Sequence, residues 1–173
     1  MSGTTALLVV DVQVNQVDDW PVLHAPAMLQ GIVGLIGRAR AAGVPVVFIQ
    51  NDGGDGEPDV PGTPGWALHP ALGRRPDEPV IRKTTTDSFH ETELAATLVR
   101  LGVRELVVCG FQTDWCINAT VRRAAALGYP TTLVADLHST MDQGREDPAL
   151  TIERHNRDLA AIAEVTEAAG LPF

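Results

Sequence analysis

Short apolar runs that alternate with helical patterns constrain the fold of this chain more than any other feature. Strands are predicted at residues 6–10, 44–50, 79–81, 105–110, 131–135 and 163–166, where apolar residues dominate short runs. Helices are predicted at residues 27–42, 91–101, 113–127 and 150–162, where apolar residues recur at helical spacing. This alternation predicts a three-layer α/β/α fold, with a mostly parallel sheet of five or six strands and helices on both faces.

Length and composition agree with one soluble domain spanning residues 1–173. A chain of 173 residues with 45% hydrophobic and 20% charged residues can bury a single sizeable core. No apolar run approaches the roughly 20 residues of a membrane span, and the N-terminus lacks the pattern of a signal peptide. The net charge of −9 argues against nucleic acid or an anionic membrane as a partner. Two cysteines give no disulfide framework, which predicts a cytoplasmic protein.

Cys116 is the residue most indicative of chemistry. It follows the predicted strand 105–110 and lies in the first turn of the predicted helix 113–127. Free N–H groups and the positive end of the helix dipole at such a position favour a thiolate over a thiol. The other cysteine, Cys109, lies inside the apolar strand and is predicted to be a core residue.

Two ionisable residues follow other predicted strands at matching ends. Asp11 comes directly after the strand 6–10, and Lys83 comes just after the strand 79–81. In open parallel sheets, ligands bind outside the carboxyl ends of the strands. Asp11, Lys83 and Cys116 would therefore meet at one rim of the sheet if their strands are neighbours.

Three motifs in this order resemble the isochorismatase-like cysteine hydrolases. They are Asp11-Val12-Gln13, then Lys83 before Ser88-Phe89, and then Gly110-Phe111-Gln112-Thr113-Asp114-Trp115-Cys116. The superfamily includes nicotinamidases, carbamoylsarcosine-type amidases and isochorismatase. The resemblance covers residues 7 to about 166 and implies an Asp11–Lys83–Cys116 triad.

The resemblance also implies a role for each member of the triad. The Asp11 carboxylate would take the Cys116 proton and later pass it to the leaving group, while Lys83 would hold that carboxylate and add positive charge beside the sulfur. The backbone N–H groups of Gln112 and Cys116 would form the oxyanion hole. The family usually has a cis peptide in this loop, which here would be Phe111–Gln112.

No metal and no other cofactor is expected. The resemblance implies a metal only for the nicotinamidases, whose ligands are an aspartate and histidines just after the second strand. Asp52 could match that aspartate, but the nearest histidines in the sequence are His69 and His90. A first-row metal with nitrogen ligands needs imidazoles at close spacing. His69 is interpreted as a structural or pocket-wall residue.

The predicted substrate is a small molecule with an amide bond. Tryptophans outside the predicted strands suit a pocket for a small flat or cyclic group. Asn15 and Gln112 could hydrogen-bond an amide. The predicted aromatic wall consists of Trp66, Trp20, Phe89 and Trp115.

Three functions are compatible with these residues, and the first is preferred. It is hydrolysis of a small C–N amide through a Cys116 thioester. The second is hydrolysis of an isochorismate-like vinyl ether, which depends on acid catalysis at a carbon more than on a nucleophile. The third is a non-catalytic binding protein on the same fold, which an intact triad argues against.

A homodimer or homotetramer is also expected. Family members commonly pair through the side that here holds residues 121–127 and 137–148, and the apolar end Leu171-Pro172-Phe173 would be unfavourable in solvent. The predicted loop 51–77 is far longer than usual, and such loops tend to be functional or disordered. Either this loop or a neighbouring subunit could cover the pocket.

Overall fold

The computed structural model describes residues 4–173 and contains one six-stranded sheet. The strands are β1 (Thr4–Val10), β2 (Val46–Asn51), β3 (Val80–Lys83), β4 (Val103–Phe111), β5 (Thr131–Ser139) and β6 (Glu164–Thr166). The α-helices are α1 (Ala25–Ala41), α2 (Leu94–Arg100), α3 (Asn118–Ala126) and α4 (Pro148–Leu159). Short turns of π-helix occur at Asn15–Asp19 and Thr113–Ile117, and 3₁₀ turns at Pro70–Leu72 and Ala168–Gly170.

All neighbouring strands in the sheet are parallel, in the order β3-β2-β1-β4-β5-β6. The chain builds the sheet outward from β1 to β3 on one side, and then returns to the other side of β1 with β4. The strand order therefore reverses between β1 and β4. In doubly wound sheets a crevice opens at this reversal, outside the carboxyl ends of the strands.

Helices cover both faces of the sheet, and β1 shows why its sequence is apolar throughout. Leu7 and Val9 belong to a core cluster that includes the buried face of α1. Ala6, Leu8 and Val10 belong to a second cluster that includes buried residues of α2, α3 and α4. Because both faces are packed, neither can be polar. The predicted three-layer α/β/α arrangement is confirmed.

The element boundaries differ from the predicted ones where polar residues continue an element. The predicted helix 113–127 is a π-helical turn followed by α3, so Cys116 lies in the π-helical turn. Strand β5 extends to Ser139 because His138 and Ser139 pair with Gly110 and Phe111 beyond a register shift. Helix α4 begins at Pro148, where the Asp147 side chain accepts a hydrogen bond from the Ala149 N–H.

The apolar end of the chain packs on its own domain. Leu171 is buried in the α1 cluster, and Arg38 donates hydrogen bonds to the carbonyls of Ala168 and Leu171. This segment therefore gives no separate reason to expect an oligomer. No helix within residues 4–173 is both long and apolar enough to cross a membrane.

Gly110 allows β4 to lie against β1 beside the reversal of strand order. Its φ of 119° lies in a region that side chains with a Cβ rarely adopt. A Cβ at this position would lie 2.1 Å from the Val10 carbonyl oxygen. Only glycine therefore fits here without displacing β1, and Asp11 directly follows that strand.

We predict that Gly110→Ala lowers the free energy of unfolding by about 2 kcal/mol or more, because strain and overpacking each cost about 1–3 kcal/mol. The measurement is urea denaturation of the variant and the wild type. The matched control is Gly34→Ala in α1, where nothing lies within 4 Å of the added Cβ. This exposed helical site should gain about 0.5–1 kcal/mol. Wild-type stability in Gly110→Ala would contradict the close approach of the two strands.

Candidate active site

The reversal of strand order brings the three predicted catalytic residues to one rim of the sheet. Asp11 directly follows β1, Lys83 is the last residue of β3, and Cys116 lies in the π-helical turn after β4. Strand β2 separates β3 from β1, so Lys83 has to reach across the end of β2. Its partner in the strand register there is Asn51.

The Lys83 ammonium holds the site together. Its Nζ lies 2.8 Å from Asp11 Oδ2, 3.0 Å from Asn51 Oδ1 and 3.2 Å from Cys116 Sγ. Three hydrogen-bond donors thus meet three acceptors, which is the full capacity of an ammonium group. The Lys83 side chain is completely buried, so these contacts replace the water that would otherwise solvate its charge.

Burial sets the protonation states of the triad. It raises the pKa of Asp11 above its ordinary value, although Lys83 opposes that shift. Burial also raises the pKa of the Cys116 thiol, Asp11 raises it further, and Lys83 only partly opposes them. Burial disfavours the Lys83 ammonium, but Asp11 and Cys116 outweigh burial and raise its pKa. These shifts favour the thiol over the thiolate at rest, because burial and Asp11 together outweigh Lys83.

Asp11 is held in a conformation that is unusual for a residue with a side chain. Its φ is 50°, and its N–H donates to the Ile49 carbonyl oxygen on β2. Its Oδ2 contacts Lys83, whereas its Oδ1 is buried without a hydrogen-bond partner in the described chain. Strained backbone and an unpaired acceptor are costly, and both are typical of functional sites.

The loop that carries Cys116 is tightly folded on itself. The Phe111–Gln112 peptide is cis, and the Gln112 carbonyl accepts hydrogen bonds from the N–H groups of Trp115 and Ile117. The Gln112 N–H donates to no backbone carbonyl within residues 4–173. The Gln112 side chain donates to Gln16 Oε1 at 2.8 Å. This free N–H lies close in sequence to the sulfur and is available to an anionic oxygen.

His138 anchors the same loop, a role that sequence reasoning missed. Its Nδ1 lies 2.8 Å from Thr113 Oγ1 and its Nε2 lies 2.7 Å from Asn156 Oδ1. The Asn156 oxygen can only accept, so Nε2 carries the proton and Nδ1 accepts from Thr113. Burial lowers the pKa of His138 from 6.5 to about 4. Below pH 6.5 the unfolded chain takes up a proton that the folded chain does not, so stability falls toward pH 4.

Asn51 and Asp59 extend the site beyond the triad, and sequence reasoning also missed them. Asn51 accepts from Lys83 through Oδ1 and donates through Nδ2 to Asp59 Oδ2 at 2.7 Å. Asp59 is 7% exposed. The position of Asn51 at the end of β2 could have indicated this role. Strand β2 lies between β1 and β3, so the Lys83 side chain has to pass over its end to reach Asp11.

A cavity of about 830 Å³ opens over Asp11 and Cys116. Asn15, Gln112 and Trp115, three of the predicted substrate-binding residues, line it, and the side chain of Asn15 has a buried Oδ1 without a partner in the described chain. Trp20 lines it as well. The start of the long loop also contributes, through Asp52, Gly53, Gly54, Gly56, Glu57, Pro58 and Asp59.

Two predicted wall residues lie elsewhere. Phe89 is buried in the core against Tyr129, with 6.0 Å between the ring centroids, because the chain after β3 turns inward. Trp66 is fixed outside the cavity, where its Nε1 donates to Asp52 Oδ1 at 2.8 Å and Arg82 lies 5.1 Å from its ring centroid. Their aromatic character did not distinguish a packing role from a pocket role.

The residues beside the triad do not fit a metal. Asp52 is paired with Arg82 at 2.7 Å and also accepts from Trp66. His69 uses its Nδ1 to accept from the Ala71 N–H at the start of a 3₁₀ turn, which is a structural role. Among residues 4–173, no group of three or more His, Cys, Asp or Glu residues could hold a metal ion.

Comparison with known proteins gives one family for nearly the whole chain. The family model described as the isochorismatase domain matches residues 5–169.

Two proteins similar to this chain carry the names of hydrolases. A streptothricin hydrolase of Streptomyces noursei is 46% identical over 138 residues, which cover 79% of this chain and 55% of that protein. A ureidoacrylate amidohydrolase of Stutzerimonas stutzeri is 28% identical over 172 residues, covering 78% of this chain and 69% of that protein. This chain therefore spans only about half the length of the streptothricin hydrolase it matches.

Solved structures share the fold over its full extent. A cysteine hydrolase from Pseudomonas syringae pv. phaseolicola superposes with a TM-score of 0.87 and 25% identity. The match covers 96% of this chain and 89% of that one.

We predict that dialysis against a strong chelator leaves both the thermal midpoint and the rate of amide hydrolysis unchanged. The physical reason is that Asp52 is already neutralised by Arg82, and no histidine is among the described residues that line the cavity. Rates are measured before dialysis, after dialysis, and after addition of zinc, manganese or iron. Loss of activity with chelator and its recovery with one of these metals would contradict the prediction.

Proposed function

The chain belongs to the isochorismatase family, and from that premise we propose that it is a cysteine hydrolase that cleaves a small C–N amide through a Cys116 thioester. The observation that carries the proposal is the position of the Lys83 ammonium, which contacts both Asp11 Oδ2 and Cys116 Sγ beneath an open cavity. The names of two similar proteins, a hydrolase and an amidohydrolase, support it.

The first step moves a proton from Cys116 to Asp11. A carboxylate whose pKa is raised by burial is a stronger base than an ordinary aspartate. The Lys83 ammonium adjoins the sulfur and stabilises the thiolate as it forms. The raised pKa values of Asp11 and Cys116 act together, because the thiol keeps its proton until a carbonyl carbon is in position to receive the sulfur.

The second step forms the tetrahedral intermediate. Attack of the sulfur on the carbonyl carbon places a negative charge on the carbonyl oxygen. The N–H groups of Gln112 and Cys116 are the donors that would receive this oxygen, and one such donor contributes about a hundredfold to a thousandfold in rate. His138 and Asn156 support this geometry, since they fix Thr113 at the start of the turn.

Collapse of the intermediate completes the cycle. The C–N bond breaks as protonated Asp11 passes its proton to the leaving nitrogen, and the acyl group stays on sulfur. Water then attacks the thioester, Asp11 accepts a proton from that water, and the C–S bond breaks as the proton returns to the sulfur. The products are a carboxylic acid and an amine or ammonia.

The position of the nucleophile favours an amide over a vinyl ether. Hydrolysis of a vinyl ether depends on acid catalysis at a carbon, whereas the Lys83 ammonium lies 3.2 Å from Cys116 Sγ, where it would stabilise a thiolate that attacks a carbonyl.

We predict that Cys116→Ala lowers the rate of amide hydrolysis by at least about 10⁴-fold, as loss of a nucleophile typically does. The thermal midpoint should change little, because Lys83 keeps its charged partner Asp11 and Cys116 also borders the open cavity. The assay is ammonia release from a panel of primary amides.

Cys109→Ala provides the matched control. Cys109 is fully buried in the core, so this variant should lose about 1 kcal/mol of stability and retain its rate. Wild-type turnover in a folded Cys116→Ala protein would refute the covalent mechanism.

We also predict that the acid limb of kcat/KM lies above the ordinary aspartate pKa of about 3.9. Catalysis needs ionised Asp11, and burial raises the pKa of that carboxyl, so activity should fall at a higher pH than for an exposed aspartate. The profile is measured with circular dichroism at each pH, because the neutral His138 lowers stability in the same range. A limb near 3.9 in folded protein would exclude Asp11 as the base.

A further inference from the structure

The charge of the cavity is the observation that goes beyond the hydrolysis of an amide in general. Four carboxylates line it, namely those of Asp11, Asp52, Glu57 and Asp59. Within the described part of the chain, no Lys or Arg side chain lines it. The nearest cations are already paired, because Lys83 contacts Asp11 and Arg82 contacts Asp52.

Glu57 and Asp59 are neighbours that carry uncompensated charge. A Cβ on Gly53 would lie 2.1 Å from Asp59 Oδ1 and 2.9 Å from Glu57 Cβ, so both residues close over this glycine. Asp59 is buried and its side chain accepts a hydrogen bond only from the neutral Asn51 amide, whereas Glu57 is exposed and has no ion-pair partner within residues 4–173. A buried carboxylate such as that of Asp59 is normally paired with a cation. The missing partner indicates a ligand that supplies positive charge.

Two tryptophans add a surface that favours the same charge. Trp20 and Trp115 both line the cavity, and they are 63% and 45% exposed. An indole face attracts an ammonium or guanidinium group through its ring quadrupole. Large apolar rings left open to solvent at a cavity mouth are also typical of a binding surface.

The polar side chains that line the cavity do not favour an anion. The Gln112 side-chain amide already donates to Gln16 Oε1 at 2.8 Å. A carboxylate would be repelled by Glu57 and Asp59 and would find no free side-chain cation.

We propose that the cavity selects amides that carry an ammonium or guanidinium group, held by Glu57 and Asp59 against the faces of Trp20 and Trp115. Amides that carry a carboxylate are disfavoured. This substrate class rests on the proposed hydrolysis at Cys116, but the charge selectivity of the cavity can be measured without any turnover.

The experiment compares three methanethiosulfonate reagents that modify a thiol at matched size and differ in charge. One carries a trimethylammonium group, one is neutral and one carries a sulfonate. The rate of Cys116 modification is followed by mass spectrometry and divided by the rate for a small free thiol. Cys109 is fully buried, and Cys116→Ala checks that the signal comes from Cys116.

We expect the cationic reagent to react about tenfold faster than the anionic one. A difference of this size is expected when a carboxylate attracts an ammonium group at a part-exposed site. Glu57→Gln and Asp59→Asn should each reduce this ratio severalfold. Asp55→Asn is the matched control, because Asp55 is an exposed acid in the same loop that does not line the cavity. It should leave the ratio unchanged, which separates local charge from the net charge of −9.

Hydrolysis of 6-aminohexanamide, hexanamide and adipamic acid then tests the substrate class, with the cationic amide expected to have the highest kcat/KM. The proposed selectivity would be overturned by a ratio of cationic to anionic modification rates near one, by faster modification with the anionic reagent, or by no modification of Cys116 with any reagent. A cationic preference in modification without release of ammonia from any amide would instead refute the hydrolysis and leave the charge of the cavity established.

Discussion

The buried ammonium of Lys83 is the interaction on which the rest of the site depends. A lysine charge without solvent is tolerated only when its donors are satisfied, and removing one partner of such a pair typically costs about 3–5 kcal/mol. Asp11, Asn51 and Cys116 satisfy all three donors. The requirement to solvate one charge therefore fixes the base, the nucleophile and the end of β2 relative to one another. In the proposed mechanism the same ammonium would also stabilise the thiolate during attack, so stability and chemistry would depend on one residue.

The topology of the sheet makes this contact possible. Strands β1 and β4 are neighbours although Asp11 and Cys116 are 105 positions apart in sequence, and Gly110 lets the two strands approach closely. The long loop after β2 then folds back over the rim, because the Gln13 side chain donates to the carbonyls of Asn51 and Trp66. Its first residues bring the carboxylates of Glu57 and Asp59 into the cavity wall. The sheet thus positions Asp11, Lys83 and Cys116, and the loop contributes carboxylates to the cavity wall.

The fold, and the meeting of Asp11, Lys83 and Cys116 at one rim, were predictable from sequence because their signals are local. Apolar runs mark β1 and β4, Asp11 directly follows β1, and Cys116 lies in the turn after β4, so position along the chain indicates position in the sheet. Phe89 and Trp66 were misplaced because aromatic character is the same in a core, against a salt bridge and in a pocket. Asn51 and His138 were missed because their roles depend on neighbours in space, such as Lys83 and Thr113, that sequence spacing does not reveal. The pKa of the Cys116 thiol depends on burial, a tertiary property that sequence position does not reveal.

The central claim is that an acyl group is transferred to Cys116 before water attacks. The most direct test measures how the enzyme-bound acyl group partitions between water and hydroxylamine. One acyl group is presented as its primary amide and as its N-methyl amide, and hydroxylamine competes with water for the enzyme-bound acyl group. A common thioester requires the same ratio of hydroxamate to acid from both substrates, because the leaving amine has departed before the competition begins. A ratio that changes with the leaving amine would contradict a Cys116 thioester and would indicate direct attack by water.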